Sequence, residues 1–130
     1  MLILTIRTNE PIAEVALFEG TTQLATNSWE GKRLLARTIH RHIDDLLKSQ
    51  NKQLSDIQGI VGFRGPGSFT GVRIGLTVVD TLAYSLNVPI VGAMGDEWAS
   101  QGIARLQHGE NDKIAMPYYD KGAHITIQTH

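Results

Sequence analysis

The spacing of hydrophobic residues changes from every second residue to every third or fourth residue near residue 32. Before this point, runs of β-forming residues separated by turn residues predict three strands, at 2–6, 13–18 and 23–29. After it, helical stripes predict helices at 32–50, 70–86 and 96–106. Short apolar runs predict strands at 57–63 and 89–92, and late strands at 113–118 and 123–129.

This order of elements restricts the fold. Three strands with short connections form an antiparallel meander, whereas strands that return through a helix are parallel to the strand they follow. The sequence therefore predicts an α/β fold with one mixed sheet and helices on its faces, which is the layout of a ribonuclease-H-like core. A length of 130 residues fits one domain, and no repeat or linker divides the chain.

Composition excludes several classes of protein. The chain has no cysteine, which excludes a disulfide scaffold, a thiolate metal site and a cysteine nucleophile. The net charge of −1 argues against a stand-alone nucleic-acid binder, which normally has a basic excess. No apolar run is long enough for a membrane span, and the N-terminus lacks the basic region of a signal peptide. We therefore expect a cytoplasmic protein with no membrane contact.

A glycine-rich turn between a predicted strand and a predicted helix is the most informative segment. It has the sequence Gly65-Pro66-Gly67-Ser68-Phe69-Thr70-Gly71, and its first two glycines allow backbone angles closed to other residues. Ser68 or Thr70 can cap the following helix. The spacing matches neither a Walker P-loop nor a dinucleotide-binding fingerprint. Such a turn is either purely structural or an anion site, and the residues alone leave both open.

Residues 65–76 closely resemble the signature of the TsaB (YeaZ) family of bacterial proteins needed for threonylcarbamoyladenosine in tRNA. The resemblance extends from Met1 to about Ala104. It implies the ribonuclease-H-like fold of the actin-like ATPase and Hsp70 superfamily, with residues 1–130 forming a single N-terminal lobe and the second lobe absent. It also implies a non-catalytic subunit that pairs with TsaD, that is served indirectly by the ATPase TsaE, and that meets tRNA only through the complex. No catalytic, cofactor or metal residue is expected, and Gly65 to Thr70 are expected to form a structural loop.

Two places depart from the family pattern. The first strand of the family ends in an Asp-Thr-Ser type motif, whereas this chain has Arg7-Thr8-Asn9. A cation at this place opposes Mg²⁺ and attracts phosphate instead. The later Asp-Ala-Arg motif of the family is not recognisable around residues 118–122. The missing acidic residue at Arg7 argues against the main alternative, a divergent nucleotide-binding protein of the actin-like fold. A second alternative, a degenerate TsaB paralogue that only self-associates, stays open.

The predicted second helix is apolar on two sides, so one side needs a partner besides the sheet. That partner is either the first helix of the same chain or another chain. Because the family uses these two helices for its homodimer and for TsaD, the resemblance favours a subunit interface, and we also expect a homodimer when the chain is alone. The expected interface residues are Gly71, Ile74, Gly75, Val78 and Leu82.

The polar residues that could do chemistry lack partners in the sequence. His40 and His42 are two residues apart on a helix and point in different directions, so they cannot share one metal. His40 and Asp44, one turn apart, could supply two ligands but are more often a solvated pair. Ser68 has no histidine or aspartate near it in sequence, which favours a capping role over a nucleophile.

Overall fold

The computed structural model describes residues 1–8, 12–30, 35–67 and 69–118, with the side chains of residues 35, 36 and 69 excepted. Five strands form one sheet, and a short 3₁₀ turn, Leu54–Asp56, precedes the fourth of them. In chain order the elements are β1 (Leu2–Thr8), β2 (Ile12–Glu19), β3 (Thr22–Glu30), α1 (Leu35–Ser49), β4 (Gly59–Phe63), α2 (Phe69–Leu86), β5 (Ile90–Ala93) and α3 (Trp98–Gln107).

The strand order in the sheet is β3-β2-β1-β4-β5. Neighbouring strands among the first three are antiparallel, and the pairs β1/β4 and β4/β5 are parallel. Both parallel pairs follow a helical crossover, as parallel pairing requires. The predicted meander, the two crossovers and the mixed sheet are therefore confirmed.

The core lies on both faces of the sheet. α1 and α2 cover one face, and α3 covers the other over β4 and β5. The helical stripe predicted for α1 is buried at Ile39, Ile43, Leu46 and Leu47. Strands β1 and β4 are buried on both faces, which explains why they read as continuous apolar runs.

One late strand was predicted wrongly. Residues 113–118 form no strand, because their hydrogen bonds run to a side chain and to the end of β4 instead of to a strand ladder. The N–H of Ala115 donates to Asp80 Oδ1 of α2 at 2.8 Å, and the N–H of Tyr118 donates to the carbonyl of Arg64 at 2.9 Å. Pro117 has no N–H to offer. The other late strand, predicted at 123–129, lies outside the described residues.

Candidate protein–protein interface

The glycine-rich turn joins β4 to α2 and is held by hydrogen bonds to the end of β5, to the loop after it and to Met116. Gly65 has φ +118°, which confirms the expected glycine conformation there, and its carbonyl accepts from the N–H of Gly95 at 3.1 Å. The preceding Arg64 donates from its backbone N–H to the carbonyl of Ala93 at 2.8 Å and from Nε to the carbonyl of Met116 at 2.7 Å. The turn therefore has a fixed place at the carboxyl end of the parallel strands.

The other residues of the predicted loop have different placements. Pro66 follows a cis peptide bond, and both Pro66 and its neighbour Gly67 are exposed. Phe69 is the first residue of α2, and Ser68, which was expected to cap the helix, lies outside the described residues. Thr70 lies in the first turn of the helix and is exposed, so it is not at the cap. Whether this loop has only a structural role stays a prediction.

The outer side of α2 carries a partly exposed apolar strip, which we define as Ile74, Val78 and Leu82. Ile74 and Val78 are half-buried, and Leu82 retains 8% exposure. Together with Thr70, Arg73 and Thr77, the first two line a shallow open groove. Apolar side chains spaced one turn apart along an open groove can receive the ridge of a second helix.

The apolar strip continues into the seam between α1 and α2. There Leu82 lines a smaller cavity with Ile43, Leu47 and Leu54, and His40 and Asp44 lie at its rim. Leu54 is 40% exposed. Sequence reasoning missed Leu54, although a single apolar residue in an otherwise polar connection was a usable signal. The seam therefore adds exposed apolar surface next to the strip.

The two glycines expected at the interface are buried within this chain. A Cβ atom at Gly75 would lie 2.0 Å from Oγ1 of Thr8, so this glycine admits the end of β1 close to α2. Gly71 is buried as well. Gly75 therefore allows a close approach between α2 and the sheet of the same chain. The side chains that remain available for an outward contact are those of Ile74 and Val78.

The carboxyl end of β1 is occupied by a cation–aromatic contact. The guanidinium of Arg7 lies 4.7 Å from the centre of the Phe63 ring, and Phe63 meets Trp98 edge to face at 5.5 Å. Phe63 and Trp98 are both buried. Arg7 thus packs on the ring of Phe63.

The histidines of α1 have separate surroundings. His42 stacks on Trp29 with ring centres 3.7 Å apart, and its Nδ1 lies 2.9 Å from Nδ2 of Asn27. Asp44, which was expected to lie in a solvated pair with His40, forms an ion pair with Lys48 at 2.8 Å instead, and this ion pair raises the pKa of Lys48. Within residues 1–8, 12–30, 35–67 and 69–118, no three His, Cys, Asp or Glu side chains are grouped to hold a metal ion.

No helix in the described part of the chain is long and apolar enough to cross a membrane.

Comparison with known structures places this sheet and its helices in the ribonuclease-H-like class. YeaZ from Pseudomonas aeruginosa superposes with a TM-score of 0.68 at 31% identity, covering 83% of this chain and 50% of the other. T. thermophilus RuvC, bound to a Holliday junction, superposes with a TM-score of 0.53 at 12% identity over 84% of this chain and 77% of the other. The second similarity shows the fold alone.

Sequence comparison defines the family. The model for "TsaD: tRNA N6-adenosine threonylcarbamoyltransferase" matches residues 30–97, which is more than half of the chain. The tRNA threonylcarbamoyladenosine biosynthesis protein TsaB of Escherichia coli is 33% identical over 92% of this chain, and that of Bacillus subtilis is 37% identical over 69%. The chain belongs to this family of threonylcarbamoyladenosine proteins, in its TsaB (YeaZ) branch. It spans 54% of the Escherichia coli protein and 39% of the Bacillus subtilis protein.

Proposed function

We propose that this chain is a non-catalytic, TsaB-like subunit in the formation of threonylcarbamoyladenosine in tRNA, and that it pairs with a TsaD-like protein. The observation that carries the proposal is the apolar strip. Ile74 and Val78 are only half-buried although they lie in the middle of an 18-residue helix that packs on the sheet. Covering such side chains contributes about 25 cal/mol per Å² of apolar surface removed from water.

The cation–aromatic contact at the end of β1 supports a non-catalytic role. Arg7 lies over Phe63. Because Mg²⁺ binds oxygen ligands, the guanidinium of Arg7 cannot coordinate the Mg²⁺ that accompanies a nucleotide phosphate. In this proposal the TsaD-like partner carries the chemistry, a TsaE-like ATPase acts on the assembly indirectly, and tRNA is bound only through the complex. When the partner is absent, the same strip joins two copies of the chain into a homodimer.

The test is co-purification of the full chain with the TsaD-like protein of the same organism. We expect a stable complex with the native chain and loss of it with Val78→Arg, because a charge buried at the contact without a partner costs several kcal/mol. Gln101→Arg is the matched control, since Gln101 is exposed on α3, across the sheet. Equal binding by both variants contradicts the assigned surface. A native chain that forms homodimers but never binds the partner favours the degenerate paralogue.

A further inference from the structure

The two edges of the sheet differ in how their backbone groups are used. On β5, the carbonyls of Pro89 and Ala93 accept hydrogen bonds from Ile60 and Arg64 and so face β4. The backbone N–H and C=O groups of Ile90 and Gly92 therefore point outward, away from the sheet. The N–H of Ile90 donates to Asn111 Oδ1 at 3.1 Å, and its carbonyl accepts from the N–H of Asp112 at 2.8 Å. This edge therefore meets side chains and backbone of the segment that follows α3.

Gly92 completes the closure of the β5 edge. Its N–H donates to Asp112 Oδ2 at 2.9 Å, and its carbonyl accepts from Arg105 Nη1 at 2.9 Å. Arg105 is in turn paired with Asp112 and Glu110, which raises the pKa of its guanidinium. All four outward groups of Ile90 and Gly92 thus have partners, and no further strand can pair with these residues.

The β3 edge has no such partners among the described residues. The carbonyl of Met1 accepts from Gly20 and that of Leu2 accepts from Gln58, which sets the alternation of inward and outward groups across β1 and β2. In the register of β2 and β3, the N–H and C=O groups of the odd-numbered residues from Ala25 to Trp29 therefore face β2. Those of Thr26, Ser28 and Glu30 point away from the sheet. These three residues are exposed, and no hydrogen bond from another described residue reaches their outward groups.

The sequence of β3 does little to discourage pairing. Exposed edge strands are usually short, or carry lysine, proline or bulges. β3 has nine residues, contains neither lysine nor proline, and has Glu30 as its one charged residue. Its one irregularity against β2 is a bulge-like register shift that leaves Leu24 unpaired. This shift lies near the start of β3, so the edge after it is regular and is centred near Ser28.

We propose that this edge pairs with the β3 edge of a second copy of the chain, antiparallel and with Ser28 on the two-fold axis. The pairing joins two five-stranded sheets into one continuous sheet. Thr26 lies opposite Glu30 of the second copy, so the two Glu30 carboxylates do not face each other. The edge is thus complementary to itself.

Helix α1 supplies charge complementarity to the same pairing. Its His42 stacks on Trp29 of β3, which places this side of α1 above the edge strand. Arg41 and Asp45 flank His42 and are both exposed. A two-fold axis at Ser28 makes the two α1 helices antiparallel, so that Arg41 approaches Asp45 of the second copy. The apolar strip lies on the α2 side of α1 and stays free, so the pairing links two copies of the proposed complex.

A disulfide test uses the absence of cysteine from the chain. Residues opposite each other in a hydrogen-bonded antiparallel pair have Cα atoms about 5.5 Å apart, within the range a disulfide spans. We expect Ser28→Cys in the full chain to form a covalent dimer under mild oxidation at least several times faster than Thr26→Cys. Thr26 is the matched control because it is exposed on the same strand but away from the axis. Equal rates, or no covalent dimer, overturn the proposal.

Sedimentation separates this pairing from association through the helices. In the Val78→Arg background, which blocks the apolar strip, we expect a dimer at tens of micromolar. Adding Ser28→Pro removes an outward N–H without breaking the ladder to β2 and gives a monomer, whereas Ser28→Ala keeps the dimer. Circular dichroism checks that each variant is folded. A monomeric Val78→Arg chain overturns the proposal.

Discussion

The guanidinium of Arg7 lies 4.7 Å from the centre of the Phe63 ring, at the carboxyl ends of the adjacent strands β1 and β4. The two residues lie at the end of the sheet where ligands of open α/β proteins usually bind. Phe63 is buried and is backed by Trp98, so the contact fills this place with aromatic packing. The proposed non-catalytic role rests in part on this contact.

The first prediction concerns nucleotide. Because Arg7 stands where the family has an acidic residue, we expect the chain alone to show no saturable heat on titration with Mg-ATP and no ATP hydrolysis. Calorimetry and a phosphate-release assay measure both. Micromolar affinity together with measurable turnover contradicts this expectation and favours the nucleotide-binding alternative.

The second prediction concerns the contact between Gly75 and Thr8. Gly75→Ala places a Cβ atom 2.0 Å from Thr8 Oγ1, so α2 must move away from β1. Overpacking of this kind costs about 1–3 kcal/mol, and we expect a lower melting temperature. Thr8→Ala in the same chain removes the nearest atom and restores part of the loss. Thr77→Ala, at an exposed position of α2, is the control and leaves stability nearly unchanged. Failure of Thr8→Ala to restore stability contradicts this account of Gly75.

The sequence predicted the fold because hydrophobic spacing is a local property. The stripe of Ile39, Ile43 and Leu47 and the apolar run of β4 each lie within one element, so each could be assigned without tertiary information. The order of elements then restricted the topology of the sheet.

Contacts between distant residues could not be predicted in this way. Gly75 was expected at an interface, yet its close neighbour is Thr8, far away in the sequence. Residues 113–118 were expected to form a strand, yet the N–H of Ala115 donates to Asp80 of α2 and that of Tyr118 to the carbonyl of Arg64. Such hydrogen bonds leave no periodic pattern in the sequence. Of the candidate interface, Ile74, Val78 and Leu82 could be proposed from the sequence because their stripe is periodic, and Leu54 was missed because it is isolated.

The third prediction concerns the closure of the β5 edge. Asp112→Ala removes the acceptor of the Gly92 N–H and a partner of Arg105, and an unsatisfied group of this kind costs about 1–3 kcal/mol. We expect faster hydrogen exchange at the amide of Gly92 and lower stability. Glu110→Ala removes only an ion pair at the surface, so we expect a change of less than about 1 kcal/mol and unchanged exchange at Gly92. Equal effects of the two variants contradict the edge-closing role of Asp112.

The fourth prediction concerns pH and Asp80. Burial raises the pKa of this carboxyl. The hydrogen bond that Asp80 Oδ1 accepts from the N–H of Ala115 at 2.8 Å lowers the pKa, but only partly offsets the effect of burial. A carboxyl with a raised pKa binds its proton more tightly in the folded chain, so ionisation lowers stability as pH rises from the unfolded pKa through the folded one. Asp80→Asn keeps the acceptor oxygen and cannot ionise. We therefore expect it to raise the melting temperature at neutral pH.

The gain from Asp80→Asn must shrink as pH falls through the folded pKa of Asp80, because the native carboxyl then becomes neutral too. Thermal melts of both chains across the acid range measure this difference. Asp80→Ala is the control, since it also cannot ionise but lacks the acceptor of the Ala115 N–H, and we expect it to be less stable than Asp80→Asn at every pH by about 1–3 kcal/mol. An Asp80→Asn gain that is constant with pH, or a loss at neutral pH, shows that the charged carboxylate stabilises the fold and contradicts the prediction.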